Sequence, residues 1–168
     1  MKKPQRRDRF SSDMENARLE VRVRGVSLEG EDPFVVLEDK NTGRRIGVPI
    51  GPFEASAILL ELECVATPRP LTHALLAEIF LEGGLVLDEV EIVEDRYSSI
   101  RATLRYHKGL RKFEKTVRPC DAIAIALRLD VPILVEESLL SRPEGETGPW
   151  ARPKVLDLRA WRARSLQA

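Results

Sequence analysis

The stretch RPCDAIAIALRL, residues 118–129, decides how this chain folds. Its Arg-Pro pair suits the opening of a helix, because proline is tolerated in the first helical turn. Asp121 follows at a position where the positive end of the helix dipole favours an acid. The residues after it are almost all apolar, which predicts an apolar helix through residues 121–129, followed by a strand at 131–135.

A second Arg-Pro turn lies upstream in PRPLTH, residues 68–73. Residues before proline are pushed out of the helical region, so this turn is predicted to be extended. A helix is predicted from Thr72, as its cap, to Leu81, where Gly83-Gly84 stops it. Another helix is predicted to follow Gly51-Pro52 and to run to Leu62.

The remaining apolar segments alternate or are short, which is typical of strands. Strands are predicted at residues 19–24, 34–37, 44–50, 85–93, 99–106 and 110–117. Short polar links join the last three, so we expect an antiparallel meander. The predicted fold class is therefore α+β: one domain, residues 18–140, with a mixed, mainly antiparallel sheet and about three helices.

The chain has 27 basic and 27 acidic side chains, but they are unevenly distributed. Residues 1–18 and 141–168 each carry a net charge of +3, which leaves −6 for the middle. A domain with a net negative charge is not typical of proteins that bind duplex nucleic acid over a broad face. If DNA or RNA binds, the basic ends or a local arginine cluster must hold it.

Both ends of the chain differ in composition from the domain. Residues 1–17 are predicted to be a disordered basic leader, residues 141–152 a Pro/Gly linker, and residues 153–168 a C-terminal helix or tail. The apolar stripe in that tail is expected to dock on its own domain or on a sister subunit, in line with the predicted homo-oligomer, rather than to serve as a ligand for another protein. Its members are Val155, Leu158 and Trp161.

The chain contains two cysteines, too few for a disulfide framework or a thiolate zinc site. No apolar run approaches the roughly 18–20 residues that a membrane span requires, and the N-terminus lacks the apolar stretch of a signal peptide. These features predict a cytoplasmic protein without membrane contact.

Four segments occur together and in order: GPFEA at 51–55, PRPLTH at 68–73, RPCDAIAIALR at 118–128 and VPI at 131–133. In this arrangement the chain closely resembles the bifunctional nuclease domain family over residues 19–140. The resemblance implies a mixed α+β fold and hydrolysis of DNA and RNA. Two positions depart from the family pattern, since its Asp after Thr-His is Ala74 here and its Ser before the second Asp is Cys120.

Phosphodiester cleavage requires a nucleophile, a group that stabilises negative charge on phosphate, and a proton donor for the leaving oxygen. The catalytic candidates are His73, Asp121 and Glu54, and the phosphate-binding candidates are Arg69 and Arg118. The same residues also suit a structural role, in which the arginines pair with Glu54 and Asp121 and lock the helix starts together. His73 would then hydrogen-bond a neighbouring backbone group, and His107 is expected to be solvated in a turn.

Many nucleases use divalent ions such as Mg²⁺ or Mn²⁺. The acidic run Asp88–Glu91 could hold one, but the polar face of a sheet is the favoured interpretation. The predicted function is thus a nuclease or nuclease-like protein. The alternatives are a non-catalytic nucleic-acid-binding or regulatory oligomeric module, and an adaptor whose C-terminal helix docks a partner.

Overall fold

The computed structural model describes residues 17–28, 33–95, 97 and 99–140, which form one seven-stranded sheet and three helices. In chain order the elements are β1 (Arg18–Ser27), β2 (Phe34–Asp39), β3 (Arg45–Pro49), α1 (Pro52–Leu62), α2 (Thr72–Glu82), β4 (Val86–Glu94), β5 (Ile100–Lys108), β6 (Arg111–Val117), α3 (Pro119–Leu129) and β7 (Ile133–Glu136). A short 3-10 turn, Glu137–Leu139, follows β7. The predicted α+β fold with a mainly antiparallel sheet is confirmed.

The strand order in the sheet is β3-β2-β1-β7-β4-β5-β6. Two antiparallel three-stranded units, β1–β3 and β4–β6, lie on either side of β7. This last strand pairs antiparallel with β1 and parallel with β4. The meander predicted for β4–β6 is therefore present, and β7 joins it to the N-terminal half of the domain.

Helix α3 lies at the centre of the helical layer and contacts α1, α2, β4 and β5. Arg118 is extended, as expected for a residue before proline, and Pro119 begins the helix. Residues 122–126 are all buried, so α3 is covered on every side. The helix ends at Leu129, and Asp130 after it adopts a left-handed conformation (φ 53°), which a short polar side chain tolerates.

Helices α1 and α2 begin in a similar way, but without the predicted threonine cap. Gly51 and Leu71 are the extended residues before them, and Thr72 is the first helical residue of α2. Neither helix has a side-chain hydrogen bond at its cap.

The three helices run side by side in the same direction. At their starts, the Arg118 guanidinium lies 3.3 Å from Glu54 of α1, and Asp121 lies 3.2 Å from His73 of α2. Near their ends, Arg128 of α3 lies 3.6 Å from Glu61 and 3.9 Å from Glu78. Contacts at both ends of α3 therefore gather all three helix starts at one end of the layer.

The hairpin between β2 and β3 contains the predicted Asn-Thr-Gly turn. The Asp39 carboxylate accepts hydrogen bonds from the main-chain nitrogens of Asn41 (3.2 Å) and Thr42 (3.1 Å). The Thr42 hydroxyl also contacts this carboxylate and is the main reason that the pKa of Asp39 lies below its usual range, against the effect of burial. Gly43 adopts φ 69°, which suits glycine best.

The predicted leader, linker and C-terminal tail fall outside the described residues, except Ala17, whose carbonyl accepts a hydrogen bond from the Glu137 main chain. None of the described helices combines the length and apolar character needed to cross a membrane.

Truncation of Leu37, a fully buried residue of β2, to alanine is expected to lower the free energy of unfolding by about 2–5 kcal/mol, because it leaves a cavity in the core. Urea denaturation would measure this loss. Leu110→Ala is the matched control: its side chain is fully exposed, so the change should stay within about 0.5 kcal/mol. Similar losses for both variants would contradict the assignment of Leu37 to the core.

Candidate active site at the helix starts

Four side chains meet where the three helices begin. Glu54, His73 and Asp121 each lie in the first turn of a different helix, and Arg118 immediately precedes α3. Proline at the start of α1 and α3 sets these first turns, while burial of α3 brings it against its neighbours. The site is thus assembled from residues far apart in the chain.

Arg118 and Asp121 form a two-pronged ion pair. The Arg118 Nε donates to Asp121 Oδ2 at 2.8 Å, and Nη2 donates to Oδ1 at 3.0 Å. The remaining nitrogen, Nη1, donates to Glu54 Oε1 at 3.3 Å. Because 67% of the Arg118 side chain is exposed, the outer edge of its guanidinium still faces solvent and can donate to an anion.

His73 completes the cluster through Asp121. Its Nε2 lies 3.2 Å from Asp121 Oδ1, and only 17% of its side chain is exposed. Burial raises the pKa of Asp121, but the hydrogen bonds from Arg118 and His73 outweigh it and hold the pKa below its usual range. The carboxylate is therefore ionised at neutral pH and accepts hydrogen bonds only.

This arrangement selects one tautomer of neutral His73. Since Asp121 only accepts, His73 Nε2 carries the proton and donates it to Oδ1. The other ring nitrogen, Nδ1, is then unprotonated and has no hydrogen-bond partner among the described residues. An unprotonated imidazole nitrogen held by a carboxylate is suited to act as a general base.

Arg69, the fifth predicted site residue, does not join this cluster. Its main-chain oxygen accepts a hydrogen bond from the Thr67 hydroxyl at 2.7 Å, but its exposed side chain makes no hydrogen bond or ion pair with the described residues. The two Arg-Pro turns therefore differ: Arg118 is held by carboxylates, and the Arg69 side chain has no partner in the part of the chain that the structure describes.

Ala74 follows His73 and is buried, with 5% of its surface exposed. It lines a cavity of about 230 Å³ between the helices, together with Glu61, Glu78 and Arg128. The position that carries an acid in the resembled family therefore has no carboxylate here, and it lines a cavity that Arg128, in the last turn of α3, also lines.

The donor set does not fit a divalent ion at the helix starts. Within the described ranges, no group of three or more His, Cys, Asp or Glu side chains is placed so as to hold a metal. Both oxygens of Asp121 already accept hydrogen bonds from Arg118. We therefore assign no step of a mechanism here to a bound Mg²⁺ or Mn²⁺.

The acidic run in β4 is likewise engaged in ion pairs. Arg105 lies 2.8 Å from Glu89 and 2.6 Å from Glu91, and Glu91 also pairs with Arg18. Glu89 and Glu91 thus share one face of the sheet, as the alternation predicts. This placement matches the interpretation of the run as a polar sheet face.

The structure places His107 differently from the solvated turn that the sequence suggests. It lies in β5, and its Nδ1 is 2.8 Å from Asp88 Oδ1. Both residues line a cavity of about 520 Å³ with Arg105 and Lys112. Pairing of Val86 with His107 and a bulge between Leu87 and Glu89 bring Asp88 to the histidine, and only the strand register could have revealed this.

The described residues thus form a small α+β domain in which a histidine–aspartate pair lies beside an exposed arginine where the helices start. Comparison with known proteins places this domain in a family. The bifunctional nuclease domain model matches residues 35–146, and the chain belongs to the bifunctional nuclease domain family. Two Mycobacterium tuberculosis proteins, from strains CDC 1551 and H37Rv and both described as uncharacterized, are each 39% identical over 125 residues, which cover 73% of this chain and 74% of theirs.

Replacement of Asp121 by asparagine is expected to lower the free energy of unfolding at neutral pH by an amount that shrinks as the pH falls. The pKa of Asp121 in the fold lies below its ordinary value of 3.8, so the ionised carboxylate stabilises the protein above that pH. This contribution is lost as the pH falls through the lower, folded-state pKa. Urea denaturation of both proteins between about pH 7 and about pH 2 tests this, and a difference that does not change with pH would contradict it.

Proposed function

We propose that this protein hydrolyses phosphodiester bonds of DNA or RNA at the meeting point of the three helix starts. The observation that carries the proposal is the His73–Asp121 pair, 3.2 Å apart, beside the solvent-facing edge of Arg118. This combination supplies a base and a phosphate ligand in one place. Membership of the bifunctional nuclease domain family supports the same chemistry.

The direction of the helices favours an anion at this site. The start of a helix carries a partial positive charge, and its free N–H groups can donate to phosphate. Three helices that run in the same direction place three such ends together. The helix starts and Arg118 therefore favour phosphate at this site, and the carboxylates of Glu54 and Asp121 oppose it.

The proposed reaction is the addition of water across a P–O bond. His73 Nδ1 takes a proton from water as the water oxygen forms its bond to phosphorus, and Asp121 stabilises the resulting imidazolium. The bond to the leaving oxygen breaks, and that oxygen receives the proton from His73. The outer edge of Arg118 binds the charged phosphate oxygens.

The other two predicted residues have supporting roles in this scheme. Glu54 accepts from Arg118 Nη1 and keeps the guanidinium in position, so we propose it as a positioning residue. Arg69 is exposed four residues before His73 and adds a contact to the phosphate of a neighbouring nucleotide.

A non-catalytic nucleic-acid-binding or regulatory module is the second candidate. It is favoured by the mutual pairing of Arg118, Asp121, His73 and Glu54, which stabilises the helix starts without any substrate. Under this hypothesis the cluster binds phosphate but does not turn it over.

Two further features belong to the proposal. We place the protein in the cytoplasm, which the free thiols of Cys64 and Cys120 support, because reducing compartments keep cysteines unpaired. We also propose that the protein forms a homo-oligomer, which sedimentation of the full chain would test.

His73→Ala is expected to slow the cleavage of nucleic acid by about 10²–10⁴-fold, because it removes the base. The assay uses RNA and single- and double-stranded DNA oligonucleotides, each with and without added magnesium or manganese. Binding of the same oligonucleotides is measured in parallel and should change little. Equal cleavage by wild type, His73→Ala and Arg118→Ala would point to a contaminant or another site and would overturn the proposal.

His107→Ala is the matched control, since it removes the other histidine and breaks its pair with Asp88. We expect this variant to cleave at the wild-type rate. Loss of activity in His107→Ala with retention in His73→Ala would transfer the active site to the cavity in the β4–β6 meander. Tight binding without cleavage by any of these proteins would favour the regulatory module.

Arg118→Lys is expected to weaken cleavage even though the charge is retained, because lysine cannot bind Asp121 and phosphate with a planar fork. The loss in kcat/KM should reach about 10–10²-fold, less than for removal of a complete charge-stabilising donor. Arg128→Lys serves as the control, because it lies at the opposite end of α3 and should leave kcat/KM unchanged. Equal effects of the two substitutions would contradict a phosphate-binding role for Arg118.

A further inference from the structure

The outer face of α2 is apolar and uncovered by the described residues. Leu75 is 47% exposed, Leu76 46% and Ile79 56%, although α2 packs on α3 through the buried Ala74 and Ala77. Three large apolar side chains on adjoining positions of one helix form a contiguous patch, which in soluble proteins marks an interaction surface. We call these three residues the α2 patch.

The charged side chains of α2 itself have one sign, although Glu78 lies 3.9 Å from Arg128 of α3. Helix α2 contains no lysine or arginine, and its two acids, Glu78 and Glu82, lie within a turn of the patch. The surface therefore suits an occupant that is apolar in the middle and basic at its edges.

We propose that the α2 patch is the docking site of residues 153–168 of the same chain. This segment lies outside the described residues, and its sequence has the required chemistry. Val155, Leu158 and Trp161 recur every three residues, so a helix would present them on one side. Four basic side chains against the single acid Asp157 give the segment a net charge of +3; they are Lys154, Arg159, Arg162 and Arg164.

The connection between the two is long enough. The described chain ends at Leu140, which is buried in the core, and residues 141–152 lie between it and the docking segment. Twelve residues extend over about 40 Å. A domain of this length has a radius of gyration of about 14 Å, so the segment can reach any face of its own domain.

A second copy of α2 is a poorer occupant of the same patch. Packing of two α2 helices about a two-fold axis would place Glu78 and Glu82 of one copy near the same acids of the other. Like charges at an interface oppose association, whereas the basic segment compensates them. The charges therefore favour docking of the segment in cis.

Hydrogen exchange of the full chain, followed by mass spectrometry, tests this assignment. Amides of residues 153–168 are expected to exchange at least about tenfold more slowly in the wild type than in the double variant Leu75→Glu, Ile79→Glu. Both substituted side chains are about half exposed, so the domain should remain folded, which its thermal unfolding midpoint would verify. Leu110→Glu, at a fully exposed hairpin residue, should leave the protection unchanged.

Two results would overturn the proposal. One is exchange of residues 153–168 at the same rate in the wild type and in the double variant. The other is protection that disappears on dilution together with a dimer mass in sedimentation, which would assign the α2 patch to contacts between copies. Protection that is independent of concentration and lost only in the double variant supports docking in cis.

Discussion

Five consecutive residues of α3, Ala122–Ala126, are almost completely buried, and a helix can be buried at five successive positions only when it is covered all round. The sheet covers one side, and α1 and α2 cover the others. Three of the five residues are alanine, whose small side chains allow helices to pack closely. The position of α3 thereby fixes where its neighbours begin, and the cluster of Arg118, Asp121, His73 and Glu54 follows from that placement.

Parallel packing of three helices has an electrostatic cost, because like ends of the helix dipoles lie together. The structure compensates both ends with side chains. Glu54 and Asp121 lie at the positive starts, and Arg128 lies near the negative ends, in reach of Glu61 and Glu78. At the helix starts, the residues that stabilise this packing are the same ones that form the candidate site, so each of them serves stability as well as the proposed chemistry.

Local signals in the sequence predicted most of the helices and strands. They also singled out the four side chains that meet at the helix starts. Two helices begin at Pro52 and Pro119, and α2 ends just before Gly83-Gly84. The alternation in β4 placed Glu89 and Glu91 on one face. Nothing local indicates that β7 lies between β1 and β4, since pairing of distant strands depends on the whole core. For the same reason Arg69 and Arg118 look equivalent in sequence, and only the packing of α3 gives Arg118 its carboxylate partners. The pair of His107 with Asp88 likewise depends on the register of two strands.

The position of β7 also dictates an order of assembly. Among the described strands, β7 alone joins the unit β1–β3 to the unit β4–β6. Each unit can form from neighbouring segments as the chain emerges from the ribosome, but β1 must wait for residues 133–136 before its free edge is paired. Contacts over such a separation slow folding, so the inner edges of β1 and β4 stay unpaired until β7 has been synthesised.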